Sequence, residues 1–171
     1  MQEGQEEGQA FGVRKAGSQE IRRQGIKGQE GERLVRGRLT LAAVPFVPQD
    51  DYDRLLWACD VNFVRGEDSF LRAQWAARPL VWQVYPQTDN AHRLKLEAFV
   101  ARYGAALEGD AAAAWRNFLR AWNGEGDAGR NWLPYAAARD VLRTHAEAWA
   151  QARAGDTDLA SALVKFCADR V

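Results

Sequence analysis

Cysteine is scarce in this chain: Cys59 and Cys167 are the only two among 171 residues. Both fall on helical faces, which points to reduced, buried thiols in a cytoplasmic protein, and nothing in the pattern pairs them. An excess of either charge is also missing, with 23 basic and 23 acidic residues. That balance argues against a general nucleic-acid surface or an anionic-membrane surface. No apolar run approaches the roughly 20 residues that span a bilayer, and the first residues lack the apolar stretch of a signal peptide. The two histidines, His92 and His145, have no second ligand at metal spacing, so no zinc or iron site is expected. Neither a Gly-x-Ser-x-Gly elbow nor a Walker lysine is present, which disfavours a serine hydrolase or a nucleoside triphosphatase. There is no internal repeat.

What is present suits one folded domain. Hydrophobic residues make up 47% of the chain and seven residues are tryptophan, enough to build a core at this length. The first 37 residues differ from the rest. Eight of the fifteen glycines lie there among Gln, Glu and Arg, without a single Trp or Tyr. Such a segment buries too little apolar area to offset its ordering entropy, and it reads as a disordered tail foreign to the domain that follows at residues 38–171.

Beyond the tail, strand and helix alternate. Leu39–Val44 reads as a strand stopped by Pro45 and Pro48. Asp50 or Asp51 can cap a helix carrying Tyr52, Leu55, Leu56 and Cys59 at i, i+3, i+4, i+7. Val61–Val64 is a second strand, and Asp68 or Ser69 caps a helix running to Ala77. Leu80–Tyr85 is a third, almost wholly apolar strand, as in a sheet covered on both faces. Short connections between them imply right-handed crossovers and a parallel sheet. The remainder is helical. Leu94, Ala98 and Phe99 mark one helix, and Trp115, Phe118, Leu119 and Trp122 a second. Val141, Leu142, His145 and Trp149 mark a third; Leu159, Leu163 and Phe166 mark a fourth. Aromatic residues at these spacings belong to a core rather than a ligand box, and His145 is expected as a satisfied core or boundary residue. Gly124–Gly129 matches a dinucleotide fingerprint in form only: it follows a helix instead of a strand, so it reads as a helix–helix loop.

Chemistry concentrates at Arg65-Gly66-Glu67-Asp68-Ser69. A strand that delivers Gly, acids and Ser to a helix N-terminus leaves backbone N–H groups and a positive dipole end facing an anion. Arg65 at the strand exit adds a planar cationic fork suited to phosphate oxygens. Read on its own, the pentapeptide is either a phosphate site or ordinary strand–helix punctuation.

The wider sequence separates these readings. Pro45-Phe46-Val47-Pro48-Gln49-Asp50-Asp51-Tyr52-Asp53, the Arg65–Phe70 segment, Arg72-Ala73-Gln74-Trp75-Ala76 and Pro79-Leu80-Val81-Trp82-Gln83-Val84-Tyr85-Pro86-Gln87 closely resemble the bacterial protein-arginine rhamnosyltransferases that modify elongation factor P. The likeness runs from about Gly37 to Tyr103. It implies an α/β fold, the partial nucleotide-binding-like C-terminal domain of a B-type glycosyltransferase, with a parallel sheet followed by a helical region. It implies transfer of rhamnose from dTDP-β-L-rhamnose to an arginine of elongation factor P, with inversion, in the cytoplasm and without a metal or other cofactor.

Residue by residue, the resemblance places Arg65, Asp68 and Ser69 at the diphosphate, with Asp68 as a cap whose backbone N–H faces the ligand. Phe46 and Gln49 would lie by the thymine, and Tyr85 would reach the diphosphate. Glu67 would be the family's essential, catalytic donor-side carboxylate, near the sugar or ribose; an acid beside a diphosphate is unfavourable unless it accepts hydroxyl donors, which suits that place. On this resemblance the family's N-terminal domain, which supplies the catalytic aspartate and most of the acceptor site, would not be among these residues. The expectation is therefore a donor-binding fragment. The alternative is a catalytically inactive α/β module, left by truncation, that binds a nucleotide sugar or a protein.

Overall fold

The computed structural model describes residues 33–88 and 90–169. The tail expected over residues 1–37 therefore lies outside the described residues as far as position 32. The chain divides into two units, Met1–Pro48 and Gln49–Val171. In the first, β1 (Arg33–Arg36) and β2 (Leu39–Ala42) pair antiparallel, with Arg36 opposite Leu39. Gly37, at φ +60°, supplies the left-handed backbone that the tight turn requires. Two expectations change here. Regular structure begins before Leu39, and the Leu39 strand belongs to a hairpin and not to the parallel sheet.

The second unit carries the core. Helix α1 (Gln49–Ala58) leads to strand β3 (Asn62–Arg65), helix α2 (Glu67–Trp75) and strand β4 (Leu80–Gln83). β3 and β4 pair parallel, Asn62 opposite Leu80 and Arg65 opposite Gln83, with α2 as the crossover. The parallel sheet thus has two strands, not three. Leu80, Val81 and Trp82 are all buried, as an apolar strand covered on both faces must be. The β4 strand ends at Gln83, so Tyr85 lies beyond it.

Five helices follow: α3 (Ala91–Tyr103), α4 (Gly109–Trp122), α5 (Ala128–Ala137), α6 (Arg139–Ala154) and α7 (Leu159–Ala168). The aromatic residues of α3, α4 and α6 pack into the core as the periodicity predicts. Phe70 stacks on Trp82 at 3.9 Å between ring centroids, Phe99 meets both edge-on, and Trp115 packs on Phe99 and Tyr103. Gly124–Gly126 sits in the turn between α4 and α5, and the Asp127 carboxylate caps α5 by accepting from the Arg130 N–H at 3.1 Å. The loop reading holds for residues 124–127, while Ala128 and Gly129 open α5.

Four details depart from expectation. Helix α5 exists despite Pro134 in its interior. The cysteines are free, but both are exposed. Helix α7 forms with its apolar residues outward, Leu159 at 84% exposure and Phe166 at 51%. His145 is buried against the Tyr103 ring and hydrogen-bonded to that residue's backbone, yet its Nε2 has no hydrogen-bond partner among the described residues.

Candidate functional site

The site is built where β3 hands over to α2. Along β3, Asn62 and Val64 are buried while Phe63 and Arg65 alternate outward, so the period of two delivers Arg65 to the surface at the strand's end. Inside, the Asn62 side chain donates to the Leu56 carbonyl at 3.1 Å and its backbone N–H to Pro79 at 2.8 Å, which fixes the start of the strand.

Gly66 then makes the turn at φ +79°, ψ 178°, a region open to glycine alone. Its N–H donates to the Gln83 carbonyl at 3.3 Å, and its own carbonyl accepts from Trp82 Nε1 at 3.0 Å. Gly66 is the N-cap of α2, and no side chain caps the helix. This corrects the expected cap at Asp68 or Ser69. The first N–H groups of α2, from Glu67 onward, have no intrahelical carbonyl to bond, and among the described residues no side chain accepts from them.

Tyr85 covers the turn. Its ring lies over the Arg65 guanidinium at 4.6 Å from Cζ to the centroid, and over Gly66. Arg65 and Tyr85 are both exposed. No acid pairs with Arg65 among the described residues.

The two acids in the first turn of α2 are each paired with a cation. Asp68 accepts from Arg72 Nε at 3.2 Å, and Glu67 Oε1 accepts from Lys95 Nζ of α3 at 3.2 Å. Arg72 also makes a two-pronged pair with Asp53 of α1, at 3.0 and 2.9 Å. The Asp53 carboxylate, ahead of burial and of Asp68, holds the Arg72 guanidinium above its ordinary value. Pairing matters for anion binding. The acids that would repel an anion at the α2 N-terminus are both offset, while Arg65 stays unpaired.

The structure thus brings together Arg65, Glu67, Asp68, Ser69 and Tyr85. Gln49 opens α1 as an exposed residue, and Phe46, in the first unit, is fully exposed. Sequence reasoning missed Lys95, whose only signal was its position on the helix that follows the Tyr85 loop. A separate cavity of about 460 Å³ lies between α2 and α6, lined by Leu71, Gln74, Trp75 and Arg153. None of the candidate residues lines it. Among the described residues no three His, Cys, Asp or Glu side chains gather to hold a metal, and no helix is long and apolar enough to cross a membrane.

Comparison with known proteins gives this geometry a setting. The family model of the elongation-factor P (EF-P) rhamnosyltransferase EarP matches residues 9–168, a span that reaches into the segment read as a foreign tail. A protein-arginine rhamnosyltransferase of Pseudomonas putida is 51% identical over 136 residues, 80% of this chain and 36% of the relative. The Pseudomonas aeruginosa protein of the same name is 48% identical over 139 residues, 81% of this chain and 37% of the relative. A solved structure described as the structural basis for EarP-mediated arginine glycosylation of translation elongation factor EF-P superposes with a TM-score of 0.72 at 46% identity, covering 82% of this chain and 44% of that one. The chain spans little more than a third of the length of these curated relatives. The chain belongs to the EarP family of EF-P rhamnosyltransferases.

Proposed function

We propose that this chain is the donor-binding part of a protein-arginine rhamnosyltransferase. It would hold dTDP-β-L-rhamnose for inverting transfer to an arginine of elongation factor P, within a B-type architecture of two nucleotide-binding-like domains. The observation that carries the reading is Arg65, held under the Tyr85 ring beside the uncapped N-terminus of α2, in a chain about half identical to named rhamnosyltransferases over most of its length.

In this reading the Arg65 fork and the first N–H groups of α2 neutralise the diphosphate, so that no metal is needed to stabilise the departing dTDP. Ser69 lies in the first turn and donates its hydroxyl. Asp68, tied to Arg72, keeps its carboxylate off the phosphate while its N–H faces it. Tyr85 closes over the diphosphate. Glu67 is the essential carboxylate and accepts from sugar or ribose hydroxyls. Phe46 and Gln49 are assigned to the thymine on family resemblance alone. The acceptor side and its base belong to sequence that the relatives possess beyond the span matched here. We also assign the protein to the cytoplasm. The competing reading, a module that binds a partner protein without a nucleotide sugar, gains nothing from an unpaired arginine at an open helix N-terminus.

Calorimetric titration of dTDP into the chain tests the assignment. A charge-assisted bond contributes about 1.5–3 kcal/mol, so Arg65→Ala is expected to weaken dTDP by roughly tenfold or more. Unchanged affinity in a folded variant returns the turn to plain strand–helix punctuation.

A further inference from the structure

The Lys95–Glu67 pair has features that a casual surface contact lacks. It spans 28 positions and ties α3 to the first turn of α2, on the carboxylate that the donor reading makes essential. Both side chains remain about half exposed, 46% for Lys95 and 59% for Glu67, so the pair adds little to stability. Only Oε1 of Glu67 is engaged; no partner takes Oε2 among the described residues. An ammonium, unlike a guanidinium fork, holds a single oxygen as a point charge and leaves the second one open.

We propose that Lys95 is a positioning residue of the donor site, fixing the Glu67 carboxylate by one oxygen so that the other accepts from the hydroxyls of the bound sugar. The inference rests on the donor-binding reading given above and adds the residue that sets sugar recognition apart from nucleotide recognition. Arg65, whose guanidinium no acid neutralises, serves the diphosphate, and Lys95, already committed to Glu67, serves the sugar through it. Selectivity between dTDP and dTDP-rhamnose is therefore the property on which the two cations differ.

Titration of both ligands into the 171-residue chain and its K95M, K95R, E67Q and K95M/E67Q variants tests this, with a thermal melt of each as the check on folding. K95M is expected to weaken dTDP-rhamnose by roughly threefold to tenfold, the worth of one positioned hydrogen bond, and to leave dTDP within about twofold. K95R, whose planar fork engages both Glu67 oxygens, is expected to lose sugar selectivity as K95M does. The double variant is no weaker than E67Q alone, because the two residues act as one unit. Equal loss of both ligands in K95M overturns the inference, since Lys95 then touches the diphosphate itself. No loss of either ligand, or additive losses in the double variant, also overturns it. An E67Q variant that binds both ligands normally overturns it as well, whereas a wild-type chain that binds neither ligand removes the donor-site reading on which the inference stands.

Discussion

The Tyr85 ring stands so close over Gly66 that a Cβ there would come within 2.7 Å of Cε2. Two residues nineteen apart thus define one turn. The backbone of Gly66 provides the approach, and the ring that fills the space also carries the Arg65 guanidinium. The conformation requires glycine, and the contact adds to that preference.

The backbone requirement is the stricter one, because Tyr85 is half exposed and can swing aside, whereas φ +79° with ψ 178° stays strained for any L side chain. Gly66→Ala is expected to lower the unfolding free energy by about 1–3 kcal/mol. Adding Tyr85→Ala should recover only a small part of the loss. Urea unfolding of both variants measures this; full recovery in the double variant would assign the effect to the ring instead.

A second pinning point joins α4 to the sheet. Asn123 Nδ2 donates to the Trp82 and Leu119 carbonyls at 2.8 Å each, and its Oδ1 accepts from the Val84 N–H at 3.0 Å. One amide therefore serves the end of α4 and the edge of β4 with both of its groups. Asn123→Ala strands these partly buried groups and should cost about 1–3 kcal/mol. Asn123→Asp should cost more, since a carboxylate would face two carbonyl oxygens. A denaturation midpoint unchanged in the Asp variant would show that water already serves that edge.

Much of this site was legible in the chain, and the reasons differ by element. The apolar run at Leu80 and the Val61–Val64 segment gave β4 and β3 because strands buried on a face leave an apolar trace. Gly66 followed by two acids and Ser69 announced a helix start, but the sequence could not say which residue caps it. That depends on a glycine backbone angle, and Asp68 turned out to be held by Arg72. Lys95 was invisible, because its meeting with Glu67 needs α3 to fold back over the turn. Helix α5 was hidden by Pro134 and the glycines before it, since local breakers outweighed the contacts of Trp132 and Tyr135 with Phe118 that hold the helix in place. The hairpin was missed because Arg33–Arg36 carries no apolar alternation.

Protonation of the core is expected to loosen it. Burial, the larger influence, depresses His145 below its ordinary value, against a smaller opposing effect of the Tyr103 backbone bond. The unfolded chain then binds a proton more readily than the folded one. Stability is accordingly full above the usual histidine value near 6.5 and falls as pH drops from there toward the depressed value. Urea midpoints measured from pH 7 down to pH 5.5 should decline in the wild type. His145→Phe, which keeps a ring against Tyr103, should flatten that decline; an equal slope in both would assign it to other groups.

Transfer itself makes the severest demand on the fragment reading. Inversion needs an acceptor guanidinium, and a base for it, on the face of the sugar opposite the leaving diphosphate. Holding both reactants in line can be worth about 7–11 kcal/mol of barrier. In the donor-binding reading proposed above, the cluster at Arg65, Glu67 and Tyr85 serves the donor side alone. The 171 residues by themselves are therefore expected to add no rhamnose to elongation factor P, even under conditions in which they bind dTDP-rhamnose. In the full-length Pseudomonas putida relative, replacing the residue aligned with Glu67 by Ala should abolish transfer while sparing dTDP affinity. Intact-mass spectrometry of the acceptor reads both experiments. A rhamnose-sized addition produced by the short chain would show that it carries an acceptor site and a base of its own, and would place the catalytic centre within these residues.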